Sequence, residues 1–409
     1  MPDFSIALTG LQADTVALNT IGNNLANLNT TAYKGQTTSF EDLFYQQIGT
    51  SGASDPEQVG VGTRVSGTET NYTQGSLSTT SNSTDMALSG TGFFVVEQGG
   101  QQSLTRAGNF QLDSSGDLQT IDGESVMGFP TVAGTVSQTS NLAPITLPVG
   151  QTEPAQATQN VSISANLNSA AAVGNTFSTA VTVYDSLGQS HVATVTYTKA
   201  SSTTWNYAVT LPSADASGAP VNNTGTLTFD STGALVSPSS NVTGITFPGM
   251  ADGASSMNFS MNLYNSAGAA TVSQSASANN VAASSQDGYA SGTYESFAVD
   301  STGIVSATFS NGHTTTVGQV AVATVSNQSG LLRTGDNNFQ TTAASGTASV
   351  GTAGTGGRAT IEDDTVEGSN VDISAEFSNL VVAQRSFEAN SKTVTTFDTV
   401  TQDAISMIR

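Results

Sequence analysis

Apolar residues at the start of the chain recur every seven positions. Phe4, Leu11, Leu18 and Leu25 form one series, and Ala7, Asp14, Ile21 and Leu28 form a second series three residues on. This is a four-heptad stripe with one charged position, Asp14. The other end repeats the design. Ile373, Leu380, Phe387, Val394, Thr401 and Ile408 are seven apart, with Ala383, Asn390, Phe397 and Ala404 three residues beyond four of them. The spacing predicts a helix at each end. Asn370 or Asp372 is placed to cap the second helix, and the acidic run Glu362, Asp363, Asp364 reads as its solvated approach. Two unrelated amphipathic helices, each packed on its own neighbour, would show the same pattern. Paired termini fit better, because each stripe is narrow and an isolated helix of this kind is marginal in water. Both ends are therefore expected to order fully only when many copies bury the stripes together.

Between the helices the period changes to two. Segments 110–118 (FQLDSSGDL), 181–190 (VTVYDSLGQS), 227–236 (LTFDSTGALV) and 297–305 (FAVDSTGIV) share one layout: alternating apolar residues, then Asp-Ser-x-Gly. Asp suits the first turn position because its carboxylate can accept from the backbone ahead, and Gly tolerates positive φ at the last. These are hairpin signals. A calcium-binding EF-hand is excluded, since the loop at 113 lacks Gly at the sixth position and a closing Glu. Prolines concentrate in 141–156. The stretches 273–286 (SQSASANNVAASSQ) and 341–360, rich in Ser, Ala, Thr and Gly, read as linkers.

The expected fold is thus mainly β with α-helical termini: two barrel- or sandwich-like β domains, one inserted in the other, plus paired coiled-coil-type helices. Residues 1–30 and 365–409 form the terminal helical domain, 31–71 and 345–364 connect, 72–145 and 285–344 form a middle β domain, and 146–284 the inserted outer domain.

Composition narrows the function. The chain has 409 residues, 9 Lys and Arg against 31 Asp and Glu, a net charge of −22 and no cysteine. Nucleic acid and anionic lipid would be repelled, and disulfides and thiol chemistry are excluded. The N-terminal residues lack the basic and apolar regions of a cleavable secretory signal, and no run approaches the length of a membrane helix. A cytosolic protein, or one exported without a cleavable signal, is expected, with no direct membrane insertion. The glycine-rich stretch 351–357 has no Lys-Ser or Lys-Thr after it and is no P-loop. His191 sits in an alternating strand, His313 in a turn, and Trp205 and Tyr207 alternate as packing residues. Nothing assembles a nucleophile, base and oxyanion site. No enzyme, cofactor or metal site is expected.

The corner after the first helix carries more. Residues 4–36 close with Asn23, Asn24, Leu25, Ala26, Asn27, Asn29, Thr30, Tyr33 and Lys34. This resembles the N-terminal signature of the bacterial flagellar rod and hook protein family, with Ala32 where the family usually has Gly. Residues 90–129, with Thr105, Arg106, Ala107, Gly108, Asn109 and Phe110, resemble its β signature. Residues 369–398, with Gln384 and Arg385, resemble its C-terminal helix. The chain's length and inserted block point to the hook-type members. The resemblance implies a self-assembling structural subunit of a curved helical tube, a universal joint carrying torque from the basal body to the filament. Its inner layer would be made by Phe4, Leu11, Leu18, Ile21, Leu25, Leu28, Ile373, Leu380, Phe387, Val394 and Phe397. It also implies the distal rod, hook cap, hook–filament junction proteins and flagellar type III export apparatus as partners, and a place in the hook, outside the cell. A distal rod or other axial component is the nearer alternative. A β-rich adhesin or polysaccharide-processing enzyme is the more distant one, and would need a carboxylate pair or repeated modules.

Overall fold

The computed structural model describes residues 5–50, 56–132 and 134–407, so Phe4 and Ile408 lie outside the described residues. The architecture is mainly β with one long helix at each end: α1 (Ser5–Ala26) and α2 (Ile373–Met407). The chain divides into two units. The first holds 1–147, 297–307 and 315–409; the second holds 148–296 and 308–314.

In the first unit a sheet is built on the strands Phe93–Gln98, Gln101–Thr105 and Ser125–Val132, joined by the later strand Thr314–Thr324 from residue 315 on. Phe93, Val95, Leu104, Met127, Phe129, Ala321, Ala323 and Phe339 are buried together on it. The ring of Phe93 lies 5.6 Å from that of Phe339 and 6.2 Å from that of Tyr72. Two short ribbons then bring the C-terminal approach back alongside earlier chain: Thr360–Asp363 pairs with Met86–Ser89, and Thr365–Glu367 pairs with Leu77–Thr79.

Those ribbons correct two expectations. Glu362, Asp363 and Asp364 are not the approach to a helix but the end of a strand and its turn, with Asp364 at φ +48°. The tract 341–360 is not a free linker. Ser349–Thr352 pairs with the strand at 321–324, and Ser345, Ala353 and Ala359 are buried. Small side chains there let backbone approach backbone, which composition alone reads as flexibility.

In the second unit two sheets enclose a core. One is an antiparallel meander of Thr176–Tyr184, Ser190–Lys199, Thr204–Thr210, Thr224–Phe229 and Leu235–Ser237. The other is centred on Asn160–Asn168, flanked by Met257–Asn262 and Val272–Ser275 in parallel and Asn280–Gln286 antiparallel. Alternate residues point inward: Val161, Ile163, Ala165 and Leu167 from one sheet meet Trp205, Tyr207 and Val209 from the other in a single cluster. The stretch 273–286, expected as a linker, supplies two of these strands. It is polar because its residues are mostly exposed, and it is held by the backbone ladder.

All four Asp-Ser-x-Gly segments are turns of one geometry. Oδ1 of Asp113, Asp185, Asp230 and Asp300 accepts from the backbone N–H groups two and four residues on, at 2.7–2.9 Å. The glycines at 116, 188, 233 and 303 have φ of 84–88°. Asn265 and Gly268 make a fifth such turn without the Asp.

Candidate functional site

The end of α1 folds into a corner locked by side-chain amides. Asn24, 1% exposed, accepts from the Gln36 N–H at 2.9 Å and donates to the Gln36 carbonyl at 2.7 Å. It thereby pairs with that strand as a neighbouring strand would. The same amide donates to Glu376 of α2 at 3.1 Å. Asn23 donates to the Tyr33 hydroxyl at 3.2 Å, and Asn27 receives the Thr30 hydroxyl at 3.0 Å. Asn29 is exposed. These groups satisfy backbone and side-chain partners as the helix ends, which is why a leucine-spaced helix stops in asparagines. Ala32 takes the left-handed region, φ +56°, and its N–H donates to the Glu367 carbonyl at 2.7 Å.

Behind the corner lies a buried ion triad. Lys34 Nζ is 2.6 Å from Glu367 Oε1, and Arg106 Nε is 3.0 Å from Glu367 Oε2; all three side chains are at most 5% exposed. The Gly75 N–H also donates to Glu367, at 2.8 Å. Arg106 turns Nη1 toward the carbonyls of Gly90 and Gly92 and Nη2 toward that of Leu88, and Lys34 bonds the Thr73 carbonyl. Burial pushes the Lys34 ammonium below the ordinary lysine range, and the Glu367 carboxylate opposes that. Two cations facing one carboxylate are tolerable because carbonyl oxygens complete their coordination. Five stretches of chain meet here, at residues 34, 73–75, 88–92, 106 and 367, so the triad makes the corner, the first sheet and the approach to α2 one structure.

The remaining β-signature residues are packing devices. A side chain at Gly108 would run into the Met86 carbonyl, Asn109 bridges to Asp85, and Phe110 packs edge-on against Phe94 at 5.1 Å. Glu367 and Arg333 escaped the sequence reading, and Asn370 was read only as a candidate cap. Asn370 does not cap α2. It accepts from the Gly35 N–H at 2.8 Å and donates to the Asn71 carbonyl, while Asp372 is the cap, accepting from Ser374 and Ala375. Arg333 lies over the Tyr33 ring at 5.1 Å and donates to the Lys34 carbonyl.

The two helices run antiparallel, since Asn24 meets Glu376 and Asp14 accepts from Asn390 at 2.8 Å. Asn390 also packs against Gly10, where no Cβ keeps the backbones apart. On α1 the buried residues are Ala7, Ala13, Ala17, Thr20 and Asn24. Leu11, Leu18, Ile21, Leu25 and Leu28 are only half-buried. At 3.6 residues per turn the Leu11–Leu18–Leu25 stripe stands roughly a third of a turn away from Ala13, Ala17, Thr20 and Asn24. On α2, Ala383 is buried and Leu380, Val394 and Phe397 are half-buried, while Ile373 and Phe387 are exposed. Gln384 is exposed, and Arg385 makes an exposed pair with Glu388 at 3.0 Å. Ile6, Leu8 and Val16 on α1, and Phe377, Val381 and Val382 on α2, are also exposed. A groove of about 350 Å³ runs between the helices and the strand Gln36–Asp42, lined by Ala17, Ile21, Phe40, Val382 and Ala383.

The arrangement offers apolar surface for association and no catalytic constellation among the described residues. No described helix is long and apolar enough to cross a membrane. Four protein families match the chain. They are the flagella basal body rod protein (residues 4–34), the flagellar hook protein FlgE/F/G D1 domain (87–166), the flagellar basal body protein FlaE D2 domain (157–289) and the flagellar basal body rod FlgEFG protein C-terminal region (363–407). The flagellar hook protein FlgE of Salmonella typhimurium is 34% identical over 99% of both chains, and that of Treponema pallidum 32% over 98% of both. The flagellar basal-body rod protein FlgG of Buchnera aphidicola is 42% identical, over 31% of this chain and 52% of its own. The crystal structure of Helicobacter pylori flagellar hook protein FlgE2 shares the fold, with a TM-score of 0.55 at 16% identity over 70% of this chain and 99% of that one. Matched from end to end by hook proteins at about a third identity, the chain belongs to the flagellar hook protein FlgE family, a structural and not a catalytic family.

Proposed function

We propose that many copies of this chain stack head-to-tail into a curved helical tube whose inner layer is made by α1 and α2, and that the tube is a bendable coupling passing torque from the basal body to the filament. The observation that carries this is the half-exposed leucine stripe of α1. The helix spends its alanines on its own chain and leaves its leucines at the surface, beside the exposed valines and phenylalanines of α2. A contact that joins different patches on successive copies grows into an open helix where its rotation does not close a ring.

A coupling that bends as it rotates needs firm inner contacts and outer contacts that slide. The polar, weakly charged exterior of the second unit suits sliding, because wet polar contacts are exchanged at little cost. The same reading gives the distal rod, the hook cap and the hook–filament junction proteins as neighbours at the ends of the tube. It also gives the flagellar type III apparatus as the route out, without a cleavable signal. The rod reading is the weaker, since the rod protein matches 31% of this chain while hook proteins match 98–99%.

The test is assembly of Leu18→Asp. An unpaired carboxylate in the inner layer costs several kcal/mol per subunit. Sedimentation and electron microscopy should then show tubes from the wild type and only monomers from the variant, with the β-sheet circular dichroism unchanged. Tubes from the variant at wild-type yield would overturn the assignment.

A further inference from the structure

His191 is 6% exposed, at the start of the strand Ser190–Lys199, and three aspartates from three different loops converge on it. Nδ1 is 3.1 Å from Asp215 Oδ2. On the other side of the ring, Nε2 is 3.1 Å from Asp185 Oδ2 and 3.8 Å from Asp252 Oδ2. The ring nitrogen and the oxygens of Asp185 and Asp252 all lie within 4.8 Å of one another.

The carboxylates are fixed, each by one oxygen. Asp185 Oδ1 holds the N–H groups of Leu187 and Gln189, and Asp252 Oδ1 holds that of Ala254 at 3.0 Å. The second oxygen of each is left facing Nε2. The loops are tied as well: Ala251 donates to the Asp215 carbonyl, and Ser255 to the Ser186 hydroxyl. With both nitrogens protonated the ring donates to Asp215 and Asp185; with Nδ1–H alone, toward Asp215, Nε2 turns its lone pair to the oxygens of Asp185 and Asp252. In that tautomer the three atoms repel unless a positive charge, either a bound cation or the proton that makes the ring an imidazolium, sits among them.

We propose that His191, Asp185 and Asp252 bind a divalent cation of the zinc class, with Asp215 as the positioning residue that fixes the imidazole tautomer. One imidazole and two carboxylates suit a borderline metal better than magnesium, and a carboxylate behind the ligating histidine is how such rings are oriented. Asp252 is 28% exposed, so water or a further ligand reaches the open side. The ion would join the two sheets of the second unit. His191 and Asp185 belong to the meander, and Asp252 lies in the turn before Met257–Asn262 of the other sheet. The sequence placed His191 in an alternating strand and offered no reason to expect a metal site; the three aspartates come together around it only in the fold.

The test uses the full chain after chelation and dialysis. Titration calorimetry with zinc chloride should saturate at one equivalent, and magnesium chloride at the same concentration should give no heat. Zinc should raise the melting temperature. Asp252→Asn, nearly isosteric and partly exposed, should weaken zinc binding tenfold or more, and Asp215→Asn about 10- to 100-fold. Nitrogen-15 spectra of the histidine rings, with His313→Gln to assign the signal, give a readout without touching the site. One equivalent of zinc should move the Nε2 resonance while Nδ1 keeps its proton. The proposal fails if no stoichiometric binding occurs, if Asp252→Asn binds as tightly as wild type, or if both ring nitrogens stay protonated in excess zinc. That last result would make His191 an imidazolium cross-link.

Discussion

The second unit and the terminal helices use their apolar residues in opposite ways. In the strand Asn160–Asn168 the alternation of the sequence is also the alternation of burial: Val161, Ile163, Ala165 and Leu167 are inside and the residues between them are not. In α1 the apolar period and the burial period disagree. Leu11, Leu18 and Leu25 are half-exposed, while Ala13, Ala17, Thr20 and Asn24 are covered. A unit that folds by itself places its largest apolar side chains where they remove the most surface from water. In the proposed tube, α1 would present small and polar groups to its own chain and keep its large apolar ones for neighbouring copies. The difference extends to what binds each region together. The second unit has an apolar core around Trp205, whereas the corner beneath α1 is tied by Asn24, Lys34, Arg106 and Glu367.

The largest predicted effect follows from that last contrast. Glu367→Ala leaves Lys34 and Arg106 buried without a counter-charge. Breaking a buried pair by removing one partner costs about 3–5 kcal/mol. Calorimetry should show the transition of the first unit moved to much lower temperature while that of the second unit stays in place. A single transition moved as a whole would mean that the two units melt together, and the regional contrast would then not be a difference in stability.

How much of this was legible in the sequence depends on the range of the interaction. The Asp-Ser-x-Gly turns span five residues, so each could be read locally, and all four have the geometry their residues require. Both helices were legible from period seven. Of the face α1 turns inward only Ala7 was in the period-seven series; Ala13, Ala17, Thr20 and Asn24 are small or polar and lie outside it. Lys34, Arg106 and the asparagines stood out only through the family resemblance. Glu367 did not stand out at all: it is 333 positions from Lys34, and among neighbouring acidic residues it looked like solvated charge. The polar stretches 273–286 and 341–360 were misread for a related reason. Their order comes from backbone ladders and close approach of small side chains, which composition does not encode.

The contrast on α1 can be sharpened by exchanging sizes. Ala13→Leu should overpack a covered position and destabilise the monomer by about 1–3 kcal/mol. Leu18→Ala removes a half-buried side chain and should cost the monomer less than about 1 kcal/mol, yet raise the concentration needed for tube formation several-fold. Urea melts and sedimentation measure the two effects separately. If Leu18→Ala harms the monomer more than Ala13→Leu does, the leucine stripe belongs to the chain's own core.

A smaller effect concerns acid. Burial alone would raise the Asp300 carboxyl, but the Thr302 hydroxyl and the N–H groups of Ile304, Thr302 and Gly303 outweigh it and hold the group below its ordinary value of 3.8. The unfolded chain therefore takes up the proton first as pH falls. The stabilisation is complete above the unfolded value and is lost as pH drops through the folded one. Asp300→Asn keeps an oxygen for the turn but has no titration, so its stability relative to wild type should improve below pH 3.8. Urea melts across that range measure the slope; parallel curves for the two proteins would remove Asp300 from the acid response.

The smallest effect lies at Ala32, where the corner departs from the usual glycine. With φ at +56° its Cβ crowds the following carbonyl, which costs roughly 1–2 kcal/mol for a residue other than glycine. Glycine relieves that crowding but gives the unfolded chain more freedom, which returns about 0.4–1 kcal/mol. Ala32→Gly should therefore stabilise the first unit by about 0.5–1 kcal/mol. The Ala32 N–H bond to Glu367 would be kept, because it needs only the backbone. A melting temperature for the first unit raised by a few degrees, with that of the second unchanged, is the expected result. A lowered value would mean that the alanine methyl, 1% exposed, contributes more by packing than it loses by strain. The corner would then resemble the second unit, held by apolar burial and not only by its polar ties.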